Sequence, residues 1–320
     1  MGYGSPALGP RAVEAMMQNS GRSAWLRAMP WVFVLIWSTG FVVARFGMPH
    51  APPLTFLSMR YAFSLVCFGV WIGLAGVAWP RERAQWGHLA VVGMLIHAGY
   101  LGGVWAAVKA GIGAGTVALL VGLQPVLTAL WISWSQRGGD SSGRTKARVS
   151  SQQWLGLALG LGGLTLVVWH KLGGGEVTHW NLALAVFALL SITTGTLYQK
   201  RFVAPCDVRT ASAIQLLAAL ALSLPLALME AEPVVWHPQM VAAMAWSVFV
   251  LTLGGSSLLY LLIQRGAATQ VTSLMYLVPP CTAALARLLF DEEFSASMGL
   301  GMLLTASGVA LVVRTPSRDL

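Results

Sequence analysis

The chain has 320 residues, of which 56% are hydrophobic and only 10% charged, with a mean hydropathy of +0.69. A soluble domain carries roughly a quarter charged residues, so this composition excludes water as the main solvent. The formal charge of +9 invites a nucleic-acid reading, which the placement of the cations removes.

A helix needs about 20 apolar residues to cross the ~30 Å hydrocarbon layer. After a predicted cytoplasmic tail at 1–27, apolar spans are predicted over 28–46, 53–76, 87–108, 112–134, 153–169, 181–199, 210–229, 238–263, 267–289 and 296–313. All are read as helices, because an open sheet leaves its edge unsatisfied in lipid. The only composition break is 136–152, a small, polar and basic linker, and a short tail follows at 315–320. With the N-terminus placed in the cytoplasm, the inside segments hold fifteen Lys and Arg, among them Arg81, Arg83, Arg144, Lys146 and Arg265. The outside segments hold three, Arg45, Lys109 and Lys171. That bias is the positive-inside rule; it accounts for the basic charge and leaves nucleic acid without support as a partner.

Cys67, Cys206 and Cys281 are odd in number, far apart and without a CxxC pair, so neither a disulfide framework nor a zinc site is expected. No metal and no cofactor are expected. Residues 1–24 lack the apolar core of a cleavable signal peptide.

The chain repeats itself. At an offset of 155 residues Thr39-Gly40 falls on Thr194-Gly195, Gly99 on Gly254, Gly111 on Gly266, Pro125 on Pro280 and Arg60 on Gln215. In the last span of each half the offset becomes 145, matching Gly156 to Gly301 and Gly163 to Gly308. Repeat 1 covers 28–169 and repeat 2 covers 181–314. Five spans per copy is an odd number, so the copies insert with opposite orientation. The predicted fold class is an all-α integral membrane protein of ten helices in two inverted five-helix repeats, an architecture of carriers that rock one half against the other.

Polar groups within spans are costly and mark cavities or partners. His97 and Tyr100 lie one turn apart near the middle of the third span and can share a face. His97 either binds a proton or a carboxylate, or is a neutral ring bonded to a neighbouring helix. Trp105 lies about 140° around that helix from Tyr100 at about 100° per residue; it is a cavity candidate or an interfacial anchor. Arg60 either clamps helix-end carbonyls or attracts an anionic group, and its mate Gln215 favours a structural polar role for both. Pro125, Pro279 and Pro280 interrupt the fourth and ninth spans at corresponding places and free backbone carbonyls, making them candidate gating kinks, with Gln124 and Tyr276 the nearest polar side chains. Thr39, Thr194 and Ser256 belong to matched hydroxyl clusters, which either line a cavity or bond their own backbone. No Asp or Glu lies well inside a span and His97 has no second His at metal spacing, so an enzyme is not expected.

These residues also carry a resemblance. Ile36-Trp37-Ser38-Thr39-Gly40-Phe41 through Arg45, the Pro52-Pro53 opening with Arg60, Leu123-Gln124-Pro125, Val278-Pro279-Pro280, and Glu292 to Ser295 followed by Gly301 and Gly308 resemble the EamA-type ten-helix members of the drug/metabolite transporter superfamily. The resemblance spans about residues 30 to 313. It implies a monomeric, multi-pass inner-membrane carrier with cytoplasmic termini, whose partners are the bilayer and a small-molecule substrate. The expected cargo is a small neutral or zwitterionic metabolite, foremost an exported amino acid. Sugars, nucleotide sugars and drug-like solutes, and a channel or non-transporting scaffold, remain the alternatives. Topology reporters fused within 136–152 and within 230–237 should report opposite faces of the membrane, the first cytoplasmic; the same face for both would overturn the inverted arrangement.

Overall fold

In a computed structural model the described residues, 10–135, 151–173, 175–255, 257–258, 277–292 and 295–314, form helices and no strands. They comprise α1 (Pro10–Gly47), α2 (Pro53–Ala75), α3 (Arg83–Lys109), α4 in two pieces (Ala114–Val121 and Gln124–Ser135) and α5 (Ser151–Gly173). The second half repeats the set as α6 (His179–Phe202), α7 (Val208–Ala227), α8 (Pro238–Gly254), α9 (Val278–Phe290) and α10 (Ala296–Arg314). Five stretches, Ala28–Gly47 within α1 and the helices α2, α3, α6 and α7, are long and apolar enough to cross a membrane; the other five described apolar helices are shorter. The first helix starts at Pro10, well before the apolar span predicted from 28.

Local chemistry sets the helix ends. Pro53 occupies the first turn of α2, where its missing N–H costs nothing, and Gly76 closes that helix with φ 59°, its amide donating to the Ile72 carbonyl. A capping box joins Thr178 and Asn181 at the start of α6. Asp207 caps α7 by accepting the Arg209 amide at 2.9 Å. The Arg209 guanidinium, 2.9 and 2.8 Å from the same carboxylate, holds the Asp207 carboxyl below the usual range.

On the predicted outer face, helix N-termini are closed by carboxylates from distant loops. Glu230 accepts the Leu54 and Thr55 amides of α2 at 3.0 and 2.7 Å. Glu176 accepts Gly113 N at 2.9 Å and Glu292 accepts Ala114 N at 3.2 Å at the start of α4. Each satisfies orphan donors at the positive end of a helix. Glu230 and Glu292 belong to the second repeat and the amides to the first, so these caps also fasten the halves together.

Helix packing displays the internal two-fold. Helices α5 and α10 cross with Gly163 against Gly301 and Gly156 against Gly308. Since Gly156 and Gly163 are the mates of Gly301 and Gly308, each glycine meets the partner of the other, the reciprocity that a two-fold axis demands. The numbers rise on one helix as they fall on the other, so the pair is antiparallel. The same exchange relates α1·α8 to α6·α3: Gly40 faces Leu251, and Gly195 faces Ile96, which lies 155 residues before Leu251. The buried apolar core, from Phe33 and Phe41 through Tyr61, Trp105 and Leu216 to Met244 and Val278, runs across both repeats as one cluster.

The α5·α10 crossing depends on bare backbone, because a Cβ at Gly308 would collide with the Gly156 carbonyl and come 2.7 Å from Gly160 N. Gly308→Leu should therefore lower the stability of detergent-purified protein by about 1–3 kcal/mol through overpacking. Gly162, with nothing within 4 Å of its Cβ position, should accept Ala with no loss of melting temperature.

Candidate functional site

Helices α3 and α8 are not uniformly α. Gly93–Leu101 and Trp246–Gly254, nine residues each, are wound as π-helix. Such winding is rare and concentrates at functional places, and here it occurs in the two repeat mates at nearly the same register. A wider turn leaves carbonyls and side chains off the α ladder, available to neighbouring helices.

Two long polar side chains reach these stretches. Arg60 lies seven residues from the start of α2, and Gln215 seven residues from the start of α7. Arg60 Nε and Nη2 each donate to Thr252 Oγ1 at 3.1 Å, and that hydroxyl donates to the Ser247 carbonyl at 2.8 Å, five residues back along the π stretch. Gln215 comes close enough to the His97 side chain to interact with it, and α7 packs so tightly there that a Cβ at Gly93 would strike the Gln215 backbone. His97 and Thr252 are themselves 155 residues apart. The bridge from Arg60 to Thr252 and the approach of Gln215 to His97 therefore occupy matching places across the internal axis.

Aromatic side chains complete the cluster. Tyr61, fully buried, donates its hydroxyl to the His97 carbonyl at 2.7 Å. Adjacent residues of α2 thus bind both π stretches, Tyr61 in its own repeat and Arg60 in the other. Tyr100, 5% exposed, lies within reach of the Arg60 charge. One turn along α2 from Arg60, Phe56 stacks on Trp105 of α3 with centroids 4.5 Å apart. Gly47 lets this pair close up, since its Cβ position is 3.0 Å from Phe56 and 3.3 Å from Trp105. The stacked pair roofs the polar cluster on the predicted outer side. Above it opens a cavity of about 510 Å³, with Arg45, Phe46, Val108, Lys109, Gln239 and Phe290 among its lining.

The candidate residues read from sequence divide accordingly. His97, Tyr100, Arg60 and Gln215 come together. Trp105 is 1% exposed in the aromatic stack, which corrects both sequence readings of it: it neither borders open space nor anchors at the lipid interface. Thr39 donates to Ile36 O at 2.6 Å and accepts Trp246 Nε1 at 2.9 Å, so it ties α1 to α8. Its mate Thr194 points outward, exposed on α6. Gln124 donates to Thr196 Oγ1 at 2.9 Å, linking α4 to α6. Ser256 and Tyr276 lie outside the described residues. Pro125 stands in the first turn of the second piece of α4, after a turn at Gly122 and Leu123. Pro279 and Pro280 fall in the first turn of the described α9, and the residues before Leu277 lie outside the described ones. The two breaks meet, for the Cβ position of Gly122 lies 3.0 Å from Pro279 Cγ.

Thr252, Tyr61 and the π winding were not singled out from sequence. The one available signal for Thr252 was its offset from His97, hidden because a histidine and a threonine do not look alike.

The profile of the EamA-like transporter family matches residues 28–169 and again 179–314. A protein of Escherichia coli (strain K12) described as a probable amino-acid metabolite efflux pump is 23% identical over 290 residues, covering 88% of this chain and 92% of its own. An uncharacterized inner membrane transporter of the same strain, YedA, is 25% identical over 185 residues, 58% of this chain and 56% of that one. A solved crystal structure superposes with a TM-score of 0.60 over 90% of this chain and 96% of the other at 18% identity, which shows a shared fold.

Removing the Thr252 hydroxyl strands two buried Arg60 donors. Thr252→Val should cost about 1–3 kcal/mol in detergent unfolding, whereas Thr194→Val, at an exposed hydroxyl, should stay within about 0.5 kcal/mol of wild type. Equal effects of the two would show that the Arg60 bridge holds nothing.

Proposed function

Because the chain belongs to the EamA-like transporter family, we propose that it is a carrier exporting a small neutral or zwitterionic metabolite, foremost an amino acid, by alternating access between its two repeats. It is a multi-pass membrane protein, and its family and the relatives above are transporters. The finer reading places it in the inner membrane as a monomer with both termini in the cytoplasm and no cofactor.

The observation that carries this reading is the mirrored bridge at the internal axis. A carrier of inverted repeats works when each repeat can adopt the other's arrangement, which opens a central site to either side in turn. Arg60 joins α2 to Thr252 of α8 and Gln215 brings α7 beside His97 of α3, so each pair spans the interface that such an exchange must rearrange. Both pairs end on side chains carried by the π-wound stretches, a winding that concentrates at functional places. The amino-acid reading draws on the efflux-pump relative and on the lack of an acidic residue inside any span, which disfavours a cationic cargo.

Protein reconstituted into liposomes should move members of an amino-acid panel with saturable, mutually competitive kinetics and without steady ion current across planar bilayers. Conductance that does not saturate would replace the carrier by a channel; no flux of any solute would remove the proposal.

A further inference from the structure

The face opposite the carboxylate caps, the predicted cytoplasmic one, is built from different side chains. Between α2 and α3 the chain runs Val77-Ala78-Trp79-Pro80-Arg81-Glu82, and the first turn of α3 carries Arg83 and Trp86. The Trp86 indole donates Nε1–H to the Pro80 carbonyl at 2.9 Å, which folds the loop back over that turn. Trp79 stacks on Trp86 with ring centroids 5.4 Å apart and planes 20° from parallel. Both rings stay exposed, at 44% and 38%. An indole pair left outside the bundle at the ends of apolar helices sits at the headgroup level of a bilayer, where Trp is enriched.

Cations stand around this platform. Arg81 and Arg83 are exposed beside it. The second repeat adds Lys200 and Arg201 at the end of α6 and Arg209 in the first turn of α7. Direct contacts bring these elements together: Gln85 exchanges hydrogen bonds with the Ala204 backbone at 2.8 and 3.1 Å, and the His88 ring stacks on Phe202 at 5.4 Å. The Arg209 guanidinium lies 5.5 Å over the Trp71 ring near the inner end of α2. Against these five cations the two loops set two carboxylates, Glu82 and Asp207, and Asp207 is taken up by Arg209. Arg81, Arg83, Lys200 and Arg201 have no ion-pair partner among the described residues.

The fold does not require this chemistry. At the 155-residue offset Trp79, Arg81, Arg83 and Trp86 fall on Val234, Trp236, Pro238 and Val241. The matching turn on the outer face therefore makes the same connection without a cation at these places, and it holds to the first repeat through Glu230 and Glu232. A charge bias alone satisfies the positive-inside rule; it does not call for a fixed, exposed indole stack beside the arginines. A basic cluster flanking membrane helices at this depth is complementary to anionic headgroups.

We propose that the α2–α3 and α6–α7 loops form a binding surface for anionic phospholipid of the adjacent leaflet, with Arg81 and Arg83 on the headgroup phosphate and the Trp79–Trp86 pair at the boundary of headgroup and acyl chain. The surface draws on both repeats, so headgroups held there add charged ties beside the neutral Gln85–Ala204 and His88–Tyr198 contacts.

Detergent-purified protein is titrated with short-chain phosphatidylglycerol, with phosphatidylcholine of the same chain length and with inorganic phosphate. Retained lipid is counted by native mass spectrometry and the melting temperature is followed in parallel. Phosphatidylglycerol should bind at least about fivefold more tightly than phosphatidylcholine, raise the melting temperature and lose affinity as salt rises. Arg81→Gln/Arg83→Gln should bind it at least about tenfold more weakly, with the lipid-free melting temperature unchanged. Arg287→Gln, which removes an exposed cation from the last turn of α9 on the other face, should bind as wild type does. Equal retention of both lipids by wild type, or equal phosphatidylglycerol affinity in the double variant and Arg287→Gln, would overturn the inference. Displacement of the lipid by equimolar inorganic phosphate would assign the surface to a free anion and overturn it as well.

Discussion

A buried polar group in a lipid-embedded bundle has to be met from within, and at the centre of this protein that requirement is discharged by α2 and α7 reaching across to the π stretches of α8 and α3. Both long side chains lie seven residues into their helices, and the residues they meet on the π stretches are 155 apart. If Arg60 is shortened, the Thr252 hydroxyl loses its donors in a buried place. The glycine contacts around the cluster follow from this requirement. Gly93 has to be bare for α7 to bring Gln215 to His97, and Gly99 and Gly103 let α6 close in on α3 against Ser191 and Ala188.

The halves are held differently away from the axis. On the predicted outer face the ties are carboxylates on helix N-termini, Glu230 on α2 and Glu292 on α4, with the Lys109–Glu232 pair beside them. On the opposite face they are neutral: Gln85 exchanges hydrogen bonds with the Ala204 backbone, and His88 meets Tyr198 at 3.0 Å. Charged ties at a wet surface are individually weak and screened by salt, and a neutral hydrogen bond contributes only about 1 kcal/mol net. A carrier needs both faces to open at modest cost, and neither set is strong enough to lock its side.

Much of this arrangement was legible in the sequence, because its causes are periodic. Apolar runs of membrane length gave the helices, and the glycines at offsets of 155 and 145 gave the inverted pairing; the reciprocal contacts of Gly156, Gly163, Gly301 and Gly308 are the same numbers turned into geometry. His97 and Tyr100 stood out because polar groups in apolar spans are conspicuous. Trp105 was misplaced because helical angle alone does not show that Gly47 and Phe56 leave a slot for an indole. The π stretches were invisible for a deeper reason: their hydrogen-bond register is decided by what α2 and α7 offer from outside, not by a propensity within residues 93–101 or 246–254.

The internal axis makes what is not symmetric informative. Repeats that exchange conformations tolerate drift wherever both copies do the same mechanical task, and Gln215 and Arg60 both span the interface. Drift from amide to guanidinium is not neutral in a low-dielectric interior, where the charge is disfavoured by more than the hydrogen bonds to a hydroxyl return.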